Sequence, residues 1–286
     1  MKKLSVIFSL LLWANLHAQY NSLFWKISGN DLKQPSYIFG TMHTSDARVF
    51  NFSKELMPAF EKSKAYAMEL DPSKAFNLGI VSKLMMGKGY SLKKMIPETE
   101  YRFLDSVISK TYGFKLAMFD NVAPVFVMTL YESASMGLDE SKDEKTEVLD
   151  LYFYKKAKKA KKKIIGIETV DEQLDALNAL TYEEQVEMVV EEVRYGNEHS
   201  DAGNDLMRFY IEGQLDSLSQ YDAQMQMPEK YYASLVTNRN KKMAERIGAF
   251  IKLQPVFIAV GALHLPGALG VIELLRQQGY KVEPIK

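Results

Sequence analysis

Apolar positions along this chain fall into two kinds of pattern, and their alternation sets the expected architecture. Short continuous apolar runs bounded by turn residues read as strands covered on both faces. Such runs occupy residues 23–27, 36–39, 64–70, 163–168, 256–260 and 280–283. Between them, apolar residues recur at helical spacing. Residues 53–62 place Leu56, Met57 and Phe60 on one face, and Leu149, Phe153, Ala157, Ala160 and Ile164 continue a single stripe. From residue 73 to about 163 the signals are mostly helical, with Thr99 and Asn121 as expected N-caps and Gly87, Gly89, Gly113 and Gly137 as punctuation.

Further helices are expected over residues 200–218, 228–252 and 268–277. A capping box, Thr181-x-x-Glu184, opens another. Gly29-Asn30-Asp31 reads as the turn joining the first two strands. Strands spread through the chain with helices between them predict an α/β fold: a mixed, largely parallel sheet flanked by helices, with a helical insertion.

Two of the strand runs share an ending. Tyr37-Ile38-Phe39-Gly40-Thr41-Met42-His43 and Val256-Phe257-Ile258-Ala259-Val260-Gly261-Ala262-Leu263-His264 each run from apolar residues through glycine to a histidine three positions on. The glycine is expected to let the chain turn sharply as it leaves the sheet. Parallel strands would then bring both histidines to the carboxyl edge, where open α/β sheets gather ligands. Two more strands end in carboxylates, Glu69 and Glu168. Two histidines with one or two carboxylates suffice for a catalytic divalent ion, and a carboxylate left over is a candidate general base. Arg239 is a candidate to hold an oxyanion or carboxylate. The competing readings are a surface position for Glu69, a helix cap for Glu168 before Val170, and a surface salt bridge for Arg239.

Composition narrows the chemistry. No cysteine occurs, which excludes thiol catalysis, zinc thiolates and iron–sulfur clusters. Lys+Arg and Asp+Glu balance at 36 each, so no overall field favours nucleic acid or an anionic membrane. Seven lysines between Lys155 and Lys163 are read as a solvated helix face. Of the four histidines, His199 has no evident partner. No Gly-x-Ser-x-Gly elbow, phosphate-binding Gly-Lys-Ser/Thr loop or His-Glu-x-x-His occurs, and Gly87-Lys88-Gly89 lacks what a dinucleotide site needs. Met1-Lys2-Lys3, the apolar run over residues 4–14 and Ala18 have the layout of a signal peptide cleaved after Ala18. Residues 19–286 are then expected to form one exported domain, with no segment long enough to span a membrane.

Together the motifs resemble the TraB/GumN family, which includes the Tiki-type extracellular metalloproteases. The resemblance rests on residues 37–43, Met68-Glu69-Leu70, Gly166-Ile167-Glu168-Thr169 with Gln173, Arg239-Asn240, and Gly261-Ala262-Leu263-His264-Leu265-Pro266-Gly267. Asp150 also matches a recurrent family acid. The resemblance implies a fold like that of erythromycin esterase and the ChaN haem-binding lipoprotein. It implies metal ligation by His43, His264 and Glu69, with Glu69, Glu168, Arg239 and Asn240 in the catalytic set. The function expected is an exported hydrolase using Mn, Co or Zn on a peptide or small-molecule substrate. The alternative is a non-catalytic haem- or peptide-binding protein of the same fold.

Overall fold

The structure is a computed structural model that describes residues 21–44, 46–74, 83–135, 148–195, 200–224 and 227–285. The expected signal peptide, Gly137 and His199 lie outside the described residues. One six-stranded sheet runs in the order β4-β3-β5-β2-β1-β6. Its strands are β1 (Phe24–Ser28), β2 (Ser36–Thr41), β3 (Ala65–Met68), β4 (Lys163–Gly166), β5 (Val256–Gly261) and β6 (Lys281–Ile285). The pairs β4/β3, β3/β5 and β5/β2 are parallel, while β1 pairs antiparallel with both β2 and β6. This is the mixed, largely parallel α/β sheet that the strand pattern predicts.

The first hairpin turns at Gly29, Asn30 and Asp31, all with positive φ, as their turn chemistry requires. Every other connection between neighbouring elements of the parallel part crosses over through helices, because parallel strands cannot be joined by a tight turn. These helices are α1 (Leu56–Lys62), α2 (Glu98–Tyr112), α3 (Pro124–Ser135), α4 (Leu149–Lys159), α5 (Val170–Leu177), α6 (Tyr182–Tyr195), α7 (Ser200–Ile211), α8 (Leu215–Gln224) and α9 (Asn238–Leu253). After β5 comes α10 (Val271–Gln277).

Strand alternation gives the sheet two apolar faces. On one, Phe60 of α1 and Phe153 of α4 pack their rings 5.3 and 5.4 Å from that of Phe257. On the other, Arg276 of α10 lies 5.7 Å from the Trp25 ring. Trp25, Phe153 and Phe257 are fully buried, each contributing about 1.5–3 kcal/mol by its removal from water. The helical insertion builds a second core from Leu104, Ile108, Leu116, Val127, Tyr131, Val186 and Val189.

Several boundaries differ from the sequence expectation. The stripe from Leu149 stops as helix at Lys159, because Lys161 takes a left-handed φ of 54° and Ile164 pairs in β4. Helix α2 begins at Glu98 behind Pro97, not at a Thr99 cap. Helix α10 begins at Val271, since residues 265–270 are occupied by a turn with Gly267 at φ +87°. The helical run before β5 contains a π turn at Ala233–Thr237, immediately ahead of Arg239. The lysine-rich stretch is largely exposed, but Lys162 donates to the carbonyls of Glu61 (3.0 Å) and Ser63 (2.5 Å), closing the end of α1.

The paired glycines act differently from the expectation. Gly40 lies inside β2 and Gly261 has φ −51°, so neither needs a left-handed turn. A Cβ on Gly40 would stand 2.9 Å from Leu265 Cδ1 and 3.0 Å from Ala262 Cα, and one on Gly261 would stand 3.3 Å from Glu69 Oε1. Close approach, rather than a turn, is what glycine serves at these positions.

Candidate active site

The parallel strands deliver their chemistry to one edge. Beyond β2 stands His43, beyond β3 Glu69, beyond β4 Glu168, and beyond β5 a short 3-10 turn, Ala262–His264. The β3/β4 ladder continues past the strands, with Ile167 N–H donating to the Met68 carbonyl (2.8 Å) and Glu168 N–H to that of Glu69 (2.9 Å). That register sets two carboxylates side by side, an arrangement in which both stay ionised only beside a cation.

Arg239 supplies it from the first turn of α9. Its Nη2 donates to Oε2 of both Glu69 and Glu168 at 2.7 Å, its Nε donates to the two Glu168 oxygens at 3.0 and 3.1 Å, and its Nη1 donates to the Leu235 carbonyl at 3.0 Å. Gln173 Nε2, one turn into α5, donates to both glutamates at 3.2–3.3 Å. The Gly261 N–H donates to Glu69 Oε1 at 2.8 Å. Burial pushes the Glu69 carboxyl up, but His264, Arg239, the Gly261 N–H and His43 together outweigh it and hold the group at about 2. Glu69 is therefore ionised at neutral pH.

His264 is buried. Its Nε2 lies 3.7 Å from Glu69 Oε1, and its Nδ1 lies 2.7 Å from Asn240 Oδ1. Burial holds its pKa below the ordinary histidine value, against the pull of Glu69. His43 is exposed, and its Nε2 lies 3.4 Å from Oδ2 of Asp150 in the first turn of α4. Thr41 Oγ1 donates to Asp150 Oδ1 at 3.0 Å, and the buried Tyr66 hydroxyl donates to the Asp150 carbonyl at 3.3 Å. Among the described residues, buried Asp150 Oδ2 has no hydrogen-bond partner. Burial, reinforced by the Glu69 charge, raises the Asp150 carboxyl above its ordinary value, against His43 and Thr41.

The structure thus joins Glu69, Glu168, Gln173, Arg239, Asn240 and His264 in one contiguous network, with the His43–Asp150 pair beside it. Glu168 is not the cap of α5. Thr169 is, in a reciprocal capping box with Glu172, while the Glu168 side chain points at Arg239. Arg239 is no surface ion pair either, being only 14% exposed at its side chain. The groups it holds are the two glutamates. Among the described residues, no set of three or more His, Asp or Glu side chains is gathered tightly enough to enclose a metal ion. The donors stand as two adjacent pairs, His264–Glu69 and His43–Asp150. Thr41 and Tyr66, which steady Asp150, are not legible as site residues, because each looks like an ordinary strand residue in the sequence.

A family model described as the TraB/PrgY/gumN family matches residues 23–284. Metalloprotease TIKI2 of Danio rerio is 27% identical over 317 residues, covering 92% of this chain and 61% of the relative. Metalloprotease TIKI1 of the same organism is 27% identical over 321 residues, covering 92% and 63%. Metalloprotease TIKI1 of Xenopus tropicalis is 27% identical over 322 residues, covering 93% and 62%. The chain therefore spans about three fifths of the length of these relatives. No solved structure matches the chain, so the implied likeness to erythromycin esterase and ChaN goes no further than the α/β class.

Proposed function

The chain belongs to the TraB/PrgY/gumN family, and from that premise we propose that it is an exported, metal-dependent hydrolase that cleaves peptides. The reaction class is supported by its metalloprotease relatives, and export by the layout of residues 1–18. The observation that carries the reading is the pairing of each Gly-x-x-His histidine with a carboxylate oxygen at the carboxyl edge of a parallel sheet.

The His264–Glu69 pair fits two positions around a divalent ion. His264 Nε2 and Glu69 Oε1 are 3.7 Å apart, too far for a hydrogen bond and suited to two donors sharing an ion with bonds of about 2 Å. Asp150 Oδ2, a buried oxygen with no hydrogen-bond partner among the described residues, lies 3.4 Å from His43 Nε2. His264 and Glu69 would hold the ion as that pair, with His43, which stands beside Asp150, closing on it as the third donor; a donor set of nitrogen and oxygen without sulfur suits Mn, Co or Zn. When bound, such an ion lowers the pKa of a coordinated water towards neutrality and polarises a carbonyl.

The remaining residues divide the work. Arg239 and Gln173 fix Glu69 Oε2, which leaves Oε1 facing His264. Every Glu168 oxygen is engaged by Arg239 or Gln173, so Glu168 positions and does not take a proton. Thr41 secures one Asp150 oxygen and leaves Oδ2 as the atom that accepts the proton of an attacking water. Metal analysis of tag-free protein tests the reading: stoichiometric Mn, Co or Zn is expected, lost in His43→Ala and in His264→Ala. Unchanged metal in both variants, or a haem Soret band on titration in place of stoichiometric metal, would overturn it.

A further inference from the structure

We infer that Asn240 is a positioning residue that locks His264 as the Nδ1–H tautomer, so that Nε2 faces the site as a bare lone pair. The orientation of a side-chain amide follows from its partners. Asn240 Nδ2 donates to the Leu269 carbonyl at 2.9 Å. Turning the amide over would set its oxygen against that carbonyl oxygen, so Oδ1 must be the atom facing His264 Nδ1 at 2.7 Å. Oδ1 can only accept, hence Nδ1 carries the hydrogen. A neutral imidazole has one ring hydrogen, and Nε2 is left with its lone pair directed at Glu69 Oε1. Asn240 and His264 are 2% and 7% exposed, so water is not available to offer Nδ1 an alternative partner.

The lock is anchored in the backbone. Leu269 sits in the turn between β5 and α10, where the Gly270 N–H donates to the Gly267 carbonyl at 3.0 Å. A Cβ on Gly270 would lie 2.0 Å from the Pro266 carbonyl oxygen, so only glycine permits this turn. The turn fixes Leu269, Leu269 fixes the Asn240 amide, and the amide fixes the ring. Partners of this kind on the non-ligating ring nitrogen set which nitrogen of a metal-binding histidine is free.

The consequence for metal binding rests on the function proposed above; the tautomer is a property of the unloaded protein and is tested separately. Nitrogen-15 NMR of histidine-labelled, metal-free protein, with His264 assigned through His264→Gln, should show a protonated Nδ1 and an unprotonated Nε2. Asn240→Ala should lose that preference and weaken Mn, Co or Zn binding about 10–100-fold in calorimetric titrations. Asn240→Asp, which still offers Nδ1 an acceptor, should retain the tautomer. A protonated Nε2 in the unsubstituted protein overturns the inference, whether or not any variant folds, as does an unchanged tautomer in folded Asn240→Ala. If the expected tautomer is found but no metal binds, the inference stands and the metal-dependent reading fails.

Discussion

Arg239 closes on Glu168 from the side, with Nε shared between the two carboxylate oxygens and Nη2 2.7 Å from one of them. The Glu168 side chain is wholly removed from solvent. An unpaired charge left there would keep the Gln173 amide as a donor but no water.

Arg239→Ala should therefore destabilise the fold by about 3–5 kcal/mol, the usual cost of removing one partner of a buried pair. Arg239→Lys should recover only part, because a single ammonium cannot serve two carboxylates with a planar fork. Urea denaturation measures both. Arg102→Ala is the control: that residue pairs with Glu98 on the open surface of α2 and should cost less than about 0.5 kcal/mol. Equal losses for Arg239→Ala and Arg102→Ala would mean that the guanidinium holds nothing together.

The glycines at the strand ends should separate stability from function. Gly40→Ala drives a methyl into Leu265 and Ala262 and should cost about 1–3 kcal/mol. Gly261→Ala meets Glu69 Oε1 at 3.3 Å, so it should disturb metal binding and turnover more than the melting temperature. Gly87→Ala, whose added Cβ meets only Tyr90 at 4.0 Å, should leave both unchanged. Thermal melts alongside metal titration of the three variants would distinguish these outcomes.

The strands and their histidines were legible because buried parallel strands are short apolar runs, and because a functional residue just past one is a contrast visible in a single window. Glu69 and Glu168 could be placed at strand ends for the same reason. What could not be read was pairing across the sheet. Nothing local announces that β3 and β4 are neighbours whose ladder runs on into the two glutamates, or that Arg239 must face inward to neutralise them. The purpose of Gly40 was equally hidden, since a glycine kept for close approach and one kept for a turn look alike in sequence. Helix ends were misplaced where a left-handed residue, Lys161, or a glycine turn ahead of Val271 overrode an apolar stripe that continued past them.

Acid should expose the contribution of Glu172. Hydrogen bonds from Arg246 come first, then the Thr169 N–H and Lys242; against partial burial they hold its carboxyl well below the ordinary carboxylate range. A depressed folded-state pKa stabilises the fold above the unfolded value of about 4.3, and that stability drains away as pH falls below it towards the folded value. The melting-temperature difference between the native chain and Glu172→Gln should thus be fully developed above about pH 5.5 and shrink steadily in more acidic buffer. A difference that stays constant from pH 7 to pH 3 would show that the ion pair with Arg246 does not stabilise the fold.

Asp150 separates holding an ion from moving a proton. Its Oδ1 is secured by Thr41, while Oδ2 is buried, has no hydrogen-bond partner among the described residues and lies 3.4 Å from His43 Nε2. Asp150→Asn preserves shape and can still accept from Thr41, but it removes the oxygen able to take a proton. If Asp150 is the base, this variant should keep its metal content and lose about 10²–10⁴-fold in peptide turnover. Its stability should stay near that of the native chain or rise slightly, because the buried carboxylate it replaces is satisfied on one side only. Thr41→Val should leave Asp150 without the Thr41 hydroxyl donor and lower turnover without removing metal. Loss of metal from Asp150→Asn, in parallel with His43→Ala, would reassign Asp150 as a ligand and return the base to Glu69, the other carboxylate facing a histidine.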